Sequence, residues 1–368
     1  MDGLIEKLKE TILESLFNDY QIHKDNWFVN EDYFIREKKK PNNLKDRIIK
    51  NRLSKYYSPN YAIDNILNTL LEKRKDISYY DYLYNNLNDD YSKSILIDIV
   101  SFRFLGAKYF RLTIENEQYL YYHKEILNSK IQSETIQLKT SNVTLHKYDF
   151  SFEKQKISCF LDTMGVVTIF KAEQYCYKPR KIQVSDGDVI IDGGGCWGDT
   201  ALYFASKAKE TNVYTFEFTP SNIKVMEKNI ALNEANNIKI IPKALFDVSN
   251  EVYYLVDKGA SSFFTKEKTS DATQIQTITI DDFTKEANVS KIDFIKLDIE
   301  GSELKALKGA VETIKKWKPK LAIAVYHSPV DFQEIIHFIS ELNLGYKFYL
   351  DHFTPSIAET IVFATVED

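Results

Sequence analysis

Cysteine, proline and glycine are sparse in this 368-residue chain, at three, eight and twelve residues. Cys159, Cys176 and Cys196 form no CxxC pair and no even framework. That argues against a disulfide scaffold or a thiolate zinc site, and for buried reduced thiols of a cytosolic protein. Positive charge is not in excess either: 48 Lys and Arg face 53 Asp and Glu, a formal net charge of -5. A general electrostatic footprint for nucleic acid is therefore missing, and no nucleic-acid partner is expected. No apolar run reaches the roughly 18 residues of a membrane span. Met1 to Phe17 is apolar at helical spacing, but Glu6, Lys7, Lys9, Glu10 and Glu14 interrupt it, unlike the apolar core of a secretory signal. The expectation is a cytoplasmic protein. Internal repeats and low-complexity tracts are not evident.

What is present is ordinary globular composition, 44% hydrophobic and 27% charged. The length suggests about two domains. Residues 1–130 read as a mostly helical, tyrosine-rich N-terminal domain. Ile5, Leu8, Ile12 and Leu16 share one helix face, Tyr61 to Leu71 gives a second helix and Ser94 to Phe104 a third. Lys38–Lys40 before Pro41 reads as a solvated loop. Residues 131–185 read as a small β-rich connecting segment, with strand-like runs around Val143–Tyr148, Ile157–Leu161 and Val166–Phe170. Residues 186–368 alternate strand, turn and helix: strands at Val189–Ile191, Val213–Phe218, Ile238–Ile241, Phe294–Leu297 and Leu321–Tyr326, and helices at Thr200–Ala208, Ser221–Leu232, Ser302–Lys315 and Asp331–Leu342. Tyr346–Leu350 and Thr360–Ala364 complete the strands. Such alternation predicts an α/β fold, a doubly wound, mostly parallel sheet with helices on both faces.

The sharpest motif is Asp192-Gly193-Gly194-Gly195-Cys196-Trp197-Gly198-Asp199-Thr200, where a buried strand gives way to a helix. Ligands of such sheets sit at the carboxyl ends of the strands. Two templates fit. Gly193, Gly195 and Gly198 satisfy the G-x-G-x-x-G dinucleotide fingerprint, whereas Asp192, Gly194 and Gly198 satisfy D-x-G-x-x-x-G, the pattern of class I methyltransferases. Glu217, ending the next strand, suits the ribose hydroxyls of either cofactor. Asp192 tips the balance: a carboxylate at the loop start repels a pyrophosphate and attracts the cationic S-adenosylmethionine. The structural alternative is that Asp192 caps the Thr200 helix or binds loop amides.

A second motif, Lys296-Leu297-Asp298-Ile299-Glu300-Gly301-Ser302-Glu303, follows the Phe294–Leu297 strand. Together with Asp192–Thr200 it resembles the FkbM family of S-adenosylmethionine-dependent methyltransferases. Ile280-Asp281-Asp282-Phe283, Glu173-Gln174-Tyr175, Tyr326-His327 and Phe348-Tyr349-Leu350-Asp351-His352 are similar to further landmarks. The resemblance covers about residues 165–368 and implies a Rossmann-like class I methyltransferase fold. It implies a cofactor site of Asp192, Gly193, Gly194 and Gly198, with Thr200 near the methionine carboxylate, Glu217 on the ribose, and Phe218, Ala244 and Leu245 around the adenine. One departure is Phe218, where the family often has proline directly after the ribose acid. An Asn/Asp-Pro-Pro-Tyr motif, frequent in methyltransferases of nitrogen, is absent after the fourth strand, which favours an oxygen acceptor. The implied substrate is a hydroxyl of a sugar or nucleotide-sugar, in surface polysaccharide synthesis.

A hydroxyl needs a general base or a cation to become a good nucleophile. His327, Asp298 and Lys296 are the catalytic candidates: His327 as the base, Asp298 orienting it or touching cofactor or metal, and Lys296 pairing with Asp298 or stabilising an alkoxide. Each has a structural alternative: a packed histidine, a helix cap and a buried ion pair. Asp298, Glu300 and His327 could together hold Mg²⁺ or Mn²⁺, and the metal question stays open. His352 and Glu359 either line the acceptor pocket or close the sheet edge. The helical region covers the acceptor side, forms a homo-oligomer contact or simply packs. Two other functions compete, an NAD-dependent oxidoreductase using the same loop and a non-catalytic binding module of the same fold.

Overall fold

A computed structural model of the chain describes residues 2–17, 74, 76–106, 110, 112, 117–268 and 273–366. Three strands, β1 (Lys130–Leu138), β2 (Val143–Phe152) and β3 (Gln155–Leu161), form an antiparallel sheet ahead of the main one. Among the described residues the main sheet has seven strands: β4 (Val189–Gly193), β5 (Asn212–Phe216), β6 (Ile238–Ile241), β11 (Phe294–Leu297), β12 (Lys320–Ala324), β13 (Lys347–His352) and β14 (Thr360–Thr365). A four-stranded sheet lies between in sequence, from β7 (Ala244–Leu245), β8 (Val252–Val256), β9 (Phe263–Thr265) and β10 (Gln274–Ile278).

The main sheet runs β6-β5-β4-β11-β12-β14-β13. The first five strands of that order are parallel, and β14 runs antiparallel to both neighbours. This is the strand order of a class I methyltransferase, Rossmann-like sheet. The parallel strands are covered on both faces, so Ile190, Ile191, Phe294, Ile295 and Leu297 are fully buried in near-continuous apolar runs. The chain leaves β4 for β5 and β6, then returns to pair β11 on the other side of β4. This reversal makes the carboxyl ends of β4 and β11 the switch point where a ligand crevice forms. In-register pairing there sets Lys296 beside Asp192 and Leu297 beside Gly193.

The amino-terminal helices close the opposite edge. Helices α1 (Asp2–Phe17), α2 (Ile77–Asn86) and α3 (Asp90–Leu105) bury Leu4, Leu8, Leu83, Leu96 and Val100 in one apolar cluster with Phe348, Leu350 and Phe332. Asp89 caps α3 by accepting from Ser92 N at 2.8 Å. The edge strand is pinned directly: Phe348 N donates to Asn88 Oδ1 at 2.7 Å and Leu350 N to Ser92 Oγ at 2.9 Å. Covering an edge in this way removes a template for aggregation. Helix α4 (Glu117–Ser129) and β1–β3 contribute to a second cluster, with Tyr148, Phe160, Phe204 and Phe294.

Two expected elements differ. The Val166–Phe170 run is a π-helical turn, Val166–Ala172, not a strand. Asp162 accepts from Gly165 N at 2.6 Å and starts a helical path, and Val166, Val167, Thr168, Ile169 and Phe170 are all buried, so no alternation separates strand from buried helix. The Ser302–Lys315 helix is broken into Glu303–Lys308 and Val311–Trp317. Gly309 at the break passes so close to Phe246 that an added Cβ would lie 2.2 Å from its carbonyl oxygen. The expected Tyr61–Leu71 helix and the Lys38–Pro41 loop lie outside the described residues.

Candidate active site

A cleft opens at the switch point, where ligands of such sheets sit. Gly194, Glu217, Phe218, Ala244, Leu245, Phe264, Asp298, Ile299 and Glu300 are among the residues that line it. Gly194 sits at φ +81°, and a Cβ there would lie 1.9 Å from the Asp298 carbonyl oxygen, so only glycine lets the two loops meet.

Asp192 is fully buried and does not face the cleft's contents. Its carboxylate accepts from Thr200 Oγ1 at 2.9 Å and Thr215 Oγ1 at 2.8 Å, and it pairs with Lys296 Nζ at 3.2 Å. The same ammonium donates to the Gly193 and Gly194 carbonyls at 2.9 and 2.7 Å. Burial alone would lower the Lys296 pKa, but Asp192, Asp298 and Asp199 outweigh it and hold the pKa above the usual lysine value. The attraction first read as an invitation to a cationic cofactor is thus met from inside, by the next strand. Asp192, Thr200 and Lys296 shape the loop; Gly193 packs against Leu297 and Leu245 beneath it.

The residues facing the cleft carry the recognition chemistry. Glu217 is buried, and its Oε1 accepts from Thr219 N at 2.6 Å. Burial raises its pKa, against hydrogen bonds from Thr219 and Asn222 that lower it. Phe218 and Phe264 meet edge to face at 5.5 Å beside Ala244 and Leu245. An acid for hydroxyls next to an aromatic and aliphatic slot for a flat ring suits a nucleoside. Phe264, Ser262, Lys243 and Cys196 also line the cleft and were not singled out from sequence. The first two lie on or beside β9, whose three residues, Phe-Phe-Thr, are too few to show a period.

At the other end His327, Asp298, Glu300 and Glu303 converge. Glu303 Oε1 lies 3.2 Å from His327 Nδ1, while Asp298 Oδ1 and Glu300 Oε2 lie 3.5 and 3.6 Å from Nε2. Burial pushes the imidazole pKa down, but these three carboxylates reverse that and raise it to about 9. Glu300 is raised to about 7, first by burial and then by Asp298 and Glu303, with His327 opposing. Ligand atoms of Asp298, Glu303 and His327 fall within 4.8 Å of one another. Yet Glu303 addresses one edge of the ring and Asp298 and Glu300 the other. The imidazole stands between the carboxylates, which favour its charged form. Glu303 fixes the loop as well, accepting from Ile299 N at 2.7 Å.

Two tyrosines complete the cluster. Tyr175 Oη donates to Asp298 Oδ2 at 3.1 Å, and Tyr326 Oη to Asp298 Oδ1 at 3.1 Å. Tyr326 Oη is also 3.4 Å from Glu359 Oε1, whose partner oxygen accepts from Gln174 Nε2. His352 ends β13, buried, with Nδ1 2.8 Å from Thr360 Oγ1, and burial lowers its pKa to about 4.

Among known proteins, residues 184–348 match the Methyltransferase FkbM domain. Over 165 residues the chain is 26% identical to hexuronic acid methyltransferase AglP of Haloferax volcanii, covering 44% of this chain and 66% of that protein. It is 23% identical over 146 residues to Methyltransferase 1 of Beauveria bassiana, covering 34% of this chain and 59% of that one. The match thus spans less than two thirds of either relative. The crystal structure of a methyltransferase FkbM from Methylobacillus flagellatus KT is similar at a TM-score of 0.49 and 22% identity, over 79% of this chain and 59% of that one. The segment that lines the cleft is the one that matches the FkbM methyltransferase domain.

Proposed function

We propose that the protein transfers a methyl group from S-adenosylmethionine to a hydroxyl of a sugar or nucleotide-sugar, in the building of a surface polysaccharide. The observation that carries this reading is the continuity of one cleft, from the Glu217 and Phe218 end to the Asp298 and Glu300 end. The match to the FkbM domain and the name of the archaeal relative support the reaction and the acceptor class.

Bound there, the cofactor would supply an electrophilic methyl on a sulfonium leaving group. The chain's residues then position and deprotonate. Glu217 would hold the ribose hydroxyls, and Phe218, Ala244, Leu245 and Phe264 the adenine. Asp298, held by two tyrosine hydroxyls at the far end, would take the acceptor proton. The surrounding carboxylates favour the charged form of His327, which would set positive charge beside the developing alkoxide.

Calorimetry with S-adenosylhomocysteine tests the cofactor assignment. Wild type should bind, and Glu217→Ala should bind more weakly. Binding of NADH with no response to S-adenosylhomocysteine would reinstate a dinucleotide enzyme. A turnover panel of nucleotide-sugars, each with and without Mg²⁺ or Mn²⁺, then reads acceptor and metal together.

A further inference from the structure

The carboxylates beside the cleft outnumber the cations available to them. Asp298, Glu300 and Glu303 surround the imidazole of His327, and among the described residues no Lys or Arg forms an ion pair with any of the three. The Glu303 and His327 side chains are only 1% and 11% exposed, yet Glu303 Oε2 and both ring nitrogens have no hydrogen bond. Buried polar atoms ordinarily find partners and buried like charges repel, so the cluster is short of a positive partner. The geometry shows where that partner fits. Nε2 faces Asp298 Oδ1 at 3.5 Å and Glu300 Oε2 at 3.6 Å on one edge of the ring. Donors around a six-coordinate ion with bonds of about 2.1 Å lie about 3 Å apart, so a small inward movement makes these three atoms a ligand set. Glu303 Oε1 takes the other edge, 3.2 Å from Nδ1. A carboxylate there is a common outer partner of a metal-bound imidazole, because it fixes the tautomer that leaves Nε2 free. Asp298 is oriented in the same way by Tyr175 and Tyr326, whose hydroxyls donate to its two oxygens at 3.1 Å each. Asp298 and Glu300 line the cleft, so a solute entering it reaches them.

We propose that Asp298 Oδ1, Glu300 Oε2 and His327 Nε2 bind a divalent cation of the Mn²⁺ class, with Glu303 as the positioning residue behind the ring. Two carboxylates and one neutral imidazole balance the charge of such an ion. The mixed set also selects among ions. Carboxylates suit a hard cation and imidazole a softer one, and Mn²⁺ meets both, being softer than Mg²⁺ and less demanding of an all-oxygen octahedron. Nε2 ligates through its lone pair, so the ion takes the place of the proton that the carboxylates favour in its absence. Three protein ligands leave positions for water or an acceptor oxygen, and the charge of the ion would favour loss of a hydroxyl proton there. That role rests on the methyltransferase reading above; the binding of the ion does not.

The full-length protein, first treated with a chelator, tests the site. Titration with Mn²⁺ followed by electron paramagnetic resonance should show a saturable bound ion, and electron spin echo modulation should show it coupled to an imidazole nitrogen. His327→Gln should abolish that coupling. Glu303→Gln should weaken Mn²⁺ binding by about 10–100-fold and yet keep the coupling, because the ring still ligates. Glu300→Gln should weaken binding by at least about 10-fold, while Glu217→Ala, beside the aromatic slot, should leave Mn²⁺ affinity unchanged. The nitrogen coupling is read in wild type, so the proposal stays open to refutation where a variant fails to fold. No bound ion in wild type at about 1 mM Mn²⁺, a bound ion with no nitrogen coupling, or a coupling that survives in His327→Gln overturns the site. Calorimetry with S-adenosylhomocysteine on the same protein separates the two readings. Binding of S-adenosylhomocysteine without Mn²⁺ binding sinks the metal site and leaves the methyltransferase reading standing. Nitrogen-coupled Mn²⁺ with no S-adenosylhomocysteine binding does the reverse.

Discussion

The two ends of the crevice use charge in opposite ways. Lys296 and Asp192 are fully paired: the three ammonium protons meet two carbonyls and Asp192, and Asp192 takes two hydroxyls besides. Around His327 the groups are crowded but poorly aligned, and both ring nitrogens and Glu303 Oε2 lack a hydrogen bond. A saturated buried network fixes a shape. An unsaturated one holds chemical potential for a proton or a ligand, because buried polar groups otherwise find partners. The contrast teaches that Asp192 spends its charge inside the fold, while buried polar atoms without a hydrogen bond gather around His327.

The largest effect should come from breaking the saturated end. Lys296→Met strands Asp192 and two carbonyls without their cation, and should cost about 3–5 kcal/mol in urea denaturation. A loss under about 1 kcal/mol would mean the two ends do not differ as described. Next, Glu217→Ala should weaken S-adenosylhomocysteine by roughly 10–100-fold in calorimetry, the value of a hydrogen bond to a charged group. Stability would change less.

The third test is a pH profile of stability, wild type against His327→Gln. The His327 pKa is raised in the folded state from 6.5 to about 9. Its stabilisation is therefore fully present below about pH 6.5 and fades as pH rises through about 9. The gap between the two proteins should narrow over that window; a gap that widened would show the ring to be neutral in the fold. The smallest effect is expected from Tyr175→Phe, which removes one of two hydroxyls on Asp298 and should cost about 1 kcal/mol.

Much of this was legible in the residues. The strand, glycine loop and helix around Asp192 announce themselves through an apolar run that ends in glycines, and the Phe294–Leu297 strand through its uniform burial. Glu217, Phe218, Ala244 and Leu245 do line the cleft. Partnership was the illegible part. Lys296 was read as pairing with Asp298 or stabilising an alkoxide, but its ion pair is set by register across the sheet, where Asp192 lies opposite it. The β8–β10 sheet was missed because its strands are short and partly exposed, with weak burial contrast. Glu303 stood in a quoted motif without a role, since only the turn at Glu300 and Gly301 folds its carboxylate back onto Ile299 N.

The pinned edge strand has a practical consequence for anyone trimming this chain. Cutting at residue 184, where the family match begins, would take away the helices that hold Phe348 and Leu350 under cover. The fragment would keep the residues that line its crevice, lose Tyr175 from Asp298, and present a raw, sticky flank to its neighbours. What is inherited as a sequence unit is thus smaller than what must be expressed as a folding unit.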